Sequence, residues 1–189
     1  MIDENAFGFL ISYATIEDDE YALEREEFLA RYQRFRSTLL DCIRELPLGR
    51  GVRALDIGHA VYVEVAEGDE VEDPVNWLRQ LRARLGEQDL ESIGILTYGG
   101  RWVDEDSAGA PTAEPLGDVA LMRAWLPSEP LRRALDADAA ARPTDDDAVP
   151  GWGPGLYVDA DVIEAMGRKL KNEPTLLRAS SGAFFRVGR

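Results

Sequence analysis

Residues 7 to 16, Phe-Gly-Phe-Leu-Ile-Ser-Tyr-Ala-Thr-Ile, are apolar at both alternating positions. That pattern predicts a strand covered on both faces, ended by the acid run Glu17-Asp18-Asp19-Glu20. From 20 to 46, Phe28, Tyr32, Phe35, Leu39, Cys42, Ile43 and Leu46 recur at spacings of three and four, which predicts one long amphipathic helix stopped by Pro47 and Gly49. Val52 to Ile57 and Ala60 to Ala66 read as two short strands. Gly58-His59 between them suits a type II′ hairpin turn, because the first central position needs positive φ. In the second of these strands Val61, Val63 and Val65 line one face, and Tyr62 and Glu64 the other.

Asp73-Pro74 opens the next helix, with Asp as N-cap and Pro in the first turn, and Val75, Leu78, Leu81 and Leu85 form its stripe. Ile93 to Tyr98 predicts a strand, with Gly99-Gly100 as a turn and Trp102-Val103 returning. Asp104 to Leu116 reads as a loop, Val119 to Leu126 as a strand, and Pro127 to about Ala141 as a helix. Arg142 to Gly155, rich in Pro, Gly and Asp, is irregular. A short strand at Leu156 to Val158 follows, then a helix capped by Asp159 and a hairpin over Thr175 to Val187.

Strand, helix, strand, strand, helix, strand over residues 7 to 98 is the split βαβ order, so the expected fold class is α+β. A ferredoxin-like half (1–103) would carry an αβ segment (117–189) packed on its second face, all within one domain. The same order resembles the catalytic palm of nucleotide cyclases and diguanylate cyclases over about half the chain. That family carries a metal-binding acid in the first strand and another at the hairpin tip. Here the first strand offers Ser12 and Tyr13, the tip is Gly58-His59, and no GGDEF-like run exists. The resemblance implies the fold, while its two-metal chemistry lacks the acids.

Charge narrows the partners. With 36 acidic against 21 basic residues the formal charge is -15, which argues against nucleic acid and against anionic membranes as ligands. A basic protein partner is the complementary expectation. No apolar run is long enough for a membrane span and no secretory signal is visible, so a cytoplasmic location is expected. The single cysteine, Cys42, falls on the apolar stripe and reads as a small core residue. The one histidine, His59, sits apart from any Gly-x-Ser-x-Gly frame, so no hydrolase triad is expected, and no cofactor motif is present.

Two sets of candidate residues remain. Asp104, Glu105, Asp106, Asp145, Asp146 and Asp147, with Trp152 between glycines, form the partner-binding set. Glu17, Asp18, Asp56 and His59 form a metal- or nucleotide-binding alternative, because the hairpin tip should lie beside the end of the first strand. The leading expectation is accordingly a non-enzymatic acidic protein-binding module, of immunity or regulatory type. A degenerate cyclase-like enzyme or sensor is the alternative, and a self-assembling structural component the third.

Overall fold

The computed structural model describes residues 2–45, 53–66, 73–103, 128–142, 152–166, 175–179 and 182–187. Seven strands form one mixed sheet. They are β1 (Ile2–Tyr13), β2 (Arg53–Asp56), β3 (Ala60–Ala66), β4 (Ser92–Val103), β5 (Gly155–Asp159), β6 (Thr175–Ala179) and β7 (Gly182–Val187), in the order β2-β3-β1-β4-β5-β7-β6. The first four give the ferredoxin-like order, all antiparallel neighbours. β5 extends the sheet in parallel with β4, and the β6–β7 hairpin continues from it. The fold is α+β, and one sheet runs through both halves of the chain.

Five helices are described: α1 (Ile16–Ala22), α2 (Arg25–Glu45), α3 (Pro74–Gly86), α4 (Glu129–Ala141) and α5 (Ala160–Met166). On one face, β1 residues Phe9, Ile11 and Tyr13 and β3 residues Val61, Val63 and Val65 meet Phe35, Leu39 and Ile43 of α2. Val75, Leu78, Leu81 and Leu85 of α3 and Val162 and Met166 of α5 complete this layer. Cys42 is buried there, as its stripe position predicts. On the other face, Leu10, Tyr62, Ile93, Ile95, Tyr157 and Phe184 receive α4 through Leu131, Ala134, Ala137 and Ala141. This is the second cover that the doubly apolar β1 requires.

Three boundaries depart from the sequence pattern. The acid run after β1 does not end a strand but lies in α1, where carboxylates near a helix N-terminus are favoured by its dipole. Tyr13 and Thr15 hydroxyls both donate to Asp19 there. The predicted helix from 20 to 46 is broken, because Leu23 is extended (φ -100°, ψ 151°) between α1 and α2. Gly99-Gly100 is not a turn: β4 runs straight through it, Gly99 opposite Ala6 and Gly100 opposite Asn5. The glycine makes room for α4, since a Cβ on Gly99 would sit 3.2 Å from Glu129 Cβ. The strand expected at 119–126 lies outside the described residues.

Capping follows expectation. Asp73 accepts the Asn76 amide at 2.9 Å at the start of α3, and Asp159 accepts the Val162 amide at 2.7 Å in α5. Burial lifts the Asp159 pKa above its usual range despite the amides of Val162 and Tyr98 and the nearby Arg133. No helix among the described residues is long and apolar enough to cross a membrane.

Candidate functional site

The end of β1, the β2–β3 tip and the last turn of α4 meet at one end of the sheet. The tip is two residues long, with Ile57 N–H donating to the Ala60 carbonyl at 2.9 Å and Gly58 at φ +83°. A side chain at Gly58 would be strained there. Tyr13 N–H donates to the His59 carbonyl at 2.9 Å, which fixes the tip against β1. From α2, the Tyr32 hydroxyl and the Arg36 guanidinium (2.9 Å) both donate to the Gly58 carbonyl.

On the α4 side the tip meets acid and base. His59 Nε2 lies 3.0 Å from Asp138 Oδ2. Arg142 reaches both oxygens of Asp138, Nε at 3.2 Å and Nη2 at 3.3 Å, and Nη2 also donates to Ser12 Oγ at 2.8 Å. Ser12 of β1, His59 of the tip and the Asp138–Arg142 pair of α4 therefore form one connected network. Asp138 lies at its centre with only 6% of its side chain exposed, against 35% for His59. Burial opposes the charge on Asp138, but the His59 hydrogen bond and the Arg142 guanidinium outweigh it and hold its pKa below the usual carboxylate range.

This network bears directly on metal chemistry. The two positions where the cyclase resemblance places acids carry a hydroxyl and an imidazole, and both already face an arginine–aspartate pair. A divalent ion between Ser12 and His59 would stand beside the Arg142 guanidinium, and the one carboxylate described there, Asp138, is already paired with that guanidinium. Among the described side chains, Ser12 and His59 do not make a two-metal centre; those of Glu17, Asp18 and Asp56 at the same sheet end lie outside the described set. Among the described residues no group of three or more His, Cys, Asp or Glu side chains is placed to hold a metal.

The sequence-derived candidates fall out unevenly. The tip does lie beside the end of β1, so His59 and the start of α1 share one sheet end. Glu17, Asp18 and Asp56 lie in α1 and at the end of β2, and their side chains are outside the described set. Asp104, Glu105, Asp106, Asp145, Asp146 and Asp147 are outside the described residues altogether. Trp152 is half-buried and packs inward, 4.7 Å from the Tyr157 ring and 6.1 Å from the Phe184 ring. Asp138 and Arg142 escaped the sequence reading. Their only signal is an acid four residues before a base at the end of an alanine-rich helix.

A second polar cluster lies at the opposite end of α4. Ser128, the N-cap of α4, donates to the buried Glu64, which also accepts the Tyr62 hydroxyl at 2.9 Å and has Arg101 at 3.8 Å. A shallow cavity of about 290 Å³ lined by Tyr98, Gly99, Asp161, Glu164 and Ala165 lies toward that end of β4, away from the His59 network.

No protein-family model and no curated protein sequence matches the chain. Solved structures do. The adenylyl cyclase CyaB from P. aeruginosa superposes with a TM-score of 0.61 at 7% identity, covering 100% of this chain and 95% of that one. The guanylyl cyclase Cya2 gives 0.56 at 10% identity, over 98% of this chain and 92% of that one. A bacterial light-regulated adenylyl cyclase gives 0.54 at 14% identity, over 98% and 90%. The likeness is one of fold, and it extends well beyond the half of the chain that element order covers.

Proposed function

We propose that this chain is a catalytically divergent nucleotide-binding module of the cyclase fold, a sensor or regulatory unit and not a cyclase. The observation that carries the proposal is the Ser12–Arg142–Asp138–His59 network at the β1 end. Where two metal ions would need carboxylates, this chain supplies a guanidinium and an imidazole of its own. A nucleotide phosphate at that end would meet the Arg142 guanidinium directly, with Arg142 exchanging part of its contact with Asp138 for the phosphate oxygens. The neighbours that are adenylyl and guanylyl cyclases support a purine nucleotide as the ligand class.

Titration calorimetry of the full chain with ATP and GTP tests this, in Mg²⁺ and in EDTA. The expected result is binding of equal strength in both, weakened at least tenfold by Arg142→Gln. Binding that appears only with Mg²⁺, or no binding of either nucleotide, overturns it.

A further inference from the structure

We infer that α4 is a releasable layer: its own apolar stripe is small and is supplemented by polar ties at its two ends and middle, and its opening dismantles the sheet-end network. The inference goes beyond nucleotide binding and rests on that reading only for its functional consequence.

The apolar stripe that α4 itself contributes is thin, although it covers Leu10, Tyr62, Ile93, Ile95, Tyr157 and Phe184 of the sheet. Leu131, Ala134, Ala137 and Ala141 are its buried apolar residues beyond Pro130, three of them carrying one methyl each. The sheet face below is correspondingly polar for an interior: Ser12, Glu64, Thr97 and Arg101 are all buried there. The ties come in three groups. At the N-terminus, Ser128 donates to Glu64, Thr97 Oγ1 donates to the Pro130 carbonyl at 2.9 Å, and Glu129 accepts the Gly100 amide at 3.3 Å. In the middle, Arg133 donates to the Tyr98 carbonyl at 2.9 Å and pairs with Asp159 and Asp161. At the C-terminus stands the His59 network.

Physical consequences follow from that balance. A polar tie exchanged for water loses little, since both partners are resolvated, whereas an apolar stripe lifted from its seat has no such compensation. Local opening therefore concentrates where burial is apolar-poor. When α4 lifts, Asp138 and Arg142 leave together, and Ser12 and His59 face solvent without them. The part-exposed Arg133–Asp161 pair also makes the opening sensitive to salt, whereas the buried pairs are screened much less.

Hydrogen exchange on the full chain without any nucleotide is the test, so its failure and that of nucleotide binding are separate results. Amides of α4 should exchange at least tenfold faster than those of α3, and the gap should widen further in 0.5 M salt on the order expected for screening of ion pairs. Arg142→Gln should speed α4 by roughly another tenfold and leave α3 unchanged. The salt series on the unaltered protein keeps the test decisive if that variant folds poorly. Equal exchange of α4 and α3, or an α4 rate indifferent to both salt and Arg142→Gln, overturns the inference.

Discussion

The two faces of the sheet are built on different principles. The face under α2, α3 and α5 is closed by branched and aromatic side chains in continuous stripes, with Phe35, Leu39, Leu78 and Leu85 at most 1% exposed. The face under α4 is closed by Leu131 and three alanines over Leu10, Ile93, Ile95 and the rings beside them, with buried polar side chains of the strands at its ends. At about 1.5–3 kcal/mol for a fully buried Leu or Val and about 0.8 kcal/mol per methyl, the α3 stripe contributes roughly twice what the α4 stripe does. The difference teaches where each kind of job can be done. The apolar face holds the sheet together. The alanine face lets a helix approach closely enough for Asp138, Arg142 and Ser128 to reach the strands and the tip, and so it is the face that holds the polar networks.

The largest loss of stability is expected on the apolar side. Leu78→Ala removes a fully buried side chain of α3 and should lower unfolding stability by about 3 kcal/mol in chemical denaturation. A loss under about 1 kcal/mol would mean that this face carries less than its burial indicates.

The α4 face should fail in the opposite way, by addition. Ala137 is fully buried on the sheet, so Ala137→Leu forces the helix outward and should cost about 1–3 kcal/mol, more than Leu78→Met would cost on the other face. Amide shifts at Ser12 and His59 should accompany it, because Asp138 moves with the helix. An Ala137→Leu protein as stable as the original, with His59 undisturbed, would show a loosely seated helix with room to spare.

pH separates the faces most gently. On the α4 side, Asp138 has a folded-state pKa below its unfolded value. Its stabilising contribution is complete above the ordinary carboxylate range near about 4 and is lost as pH falls through the lowered value. On the α2 side, burial and the bond to Asp19 push Tyr13 up to about 12. A raised tyrosine keeps its proton longer in the folded state, so its contribution is present below pH 10 and lost as pH climbs toward about 12. Asp159, raised by burial, acts opposite to Asp138, so the readout is local: α4 amides should deprotect first in acid, and the ring signals of Tyr13 and Phe35, stacked at 4.9 Å, should shift first in alkali. A single global transition at both ends of the scale would remove the distinction.

Much of the fold was legible because one face obeys simple periodicity. The stripe of α3, the alternation of Val61, Val63 and Val65, the Gly58-His59 tip and the Asp73 and Asp159 caps all depend on neighbours in sequence. What failed depended on distant partners. Gly99-Gly100 has the composition of a turn, and only the approach of Glu129 and Pro130 explains why it stays a strand. The candidate site was half legible. His59 was found because it is the one histidine at a tip. Ser12 was seen only as a missing acid, and Asp138 went unread until the fold brought it to His59 at the tip. Its 79-residue separation from His59 leaves no local trace. Charge alone led toward the acidic loops and a basic partner, a reading that draws no support from the fold or its neighbours.

On the function proposed above, a hydroxyl, an imidazole and an internal guanidinium stand where a cyclase would need two metal acids. Turnover tests it most directly: the full chain incubated with ATP or GTP in Mg²⁺ or Mn²⁺, with cyclic nucleotide followed by chromatography. The expected result is nucleotide binding without cyclic product. Metal-dependent formation of a cyclic nucleotide that is abolished by His59→Ala would contradict it.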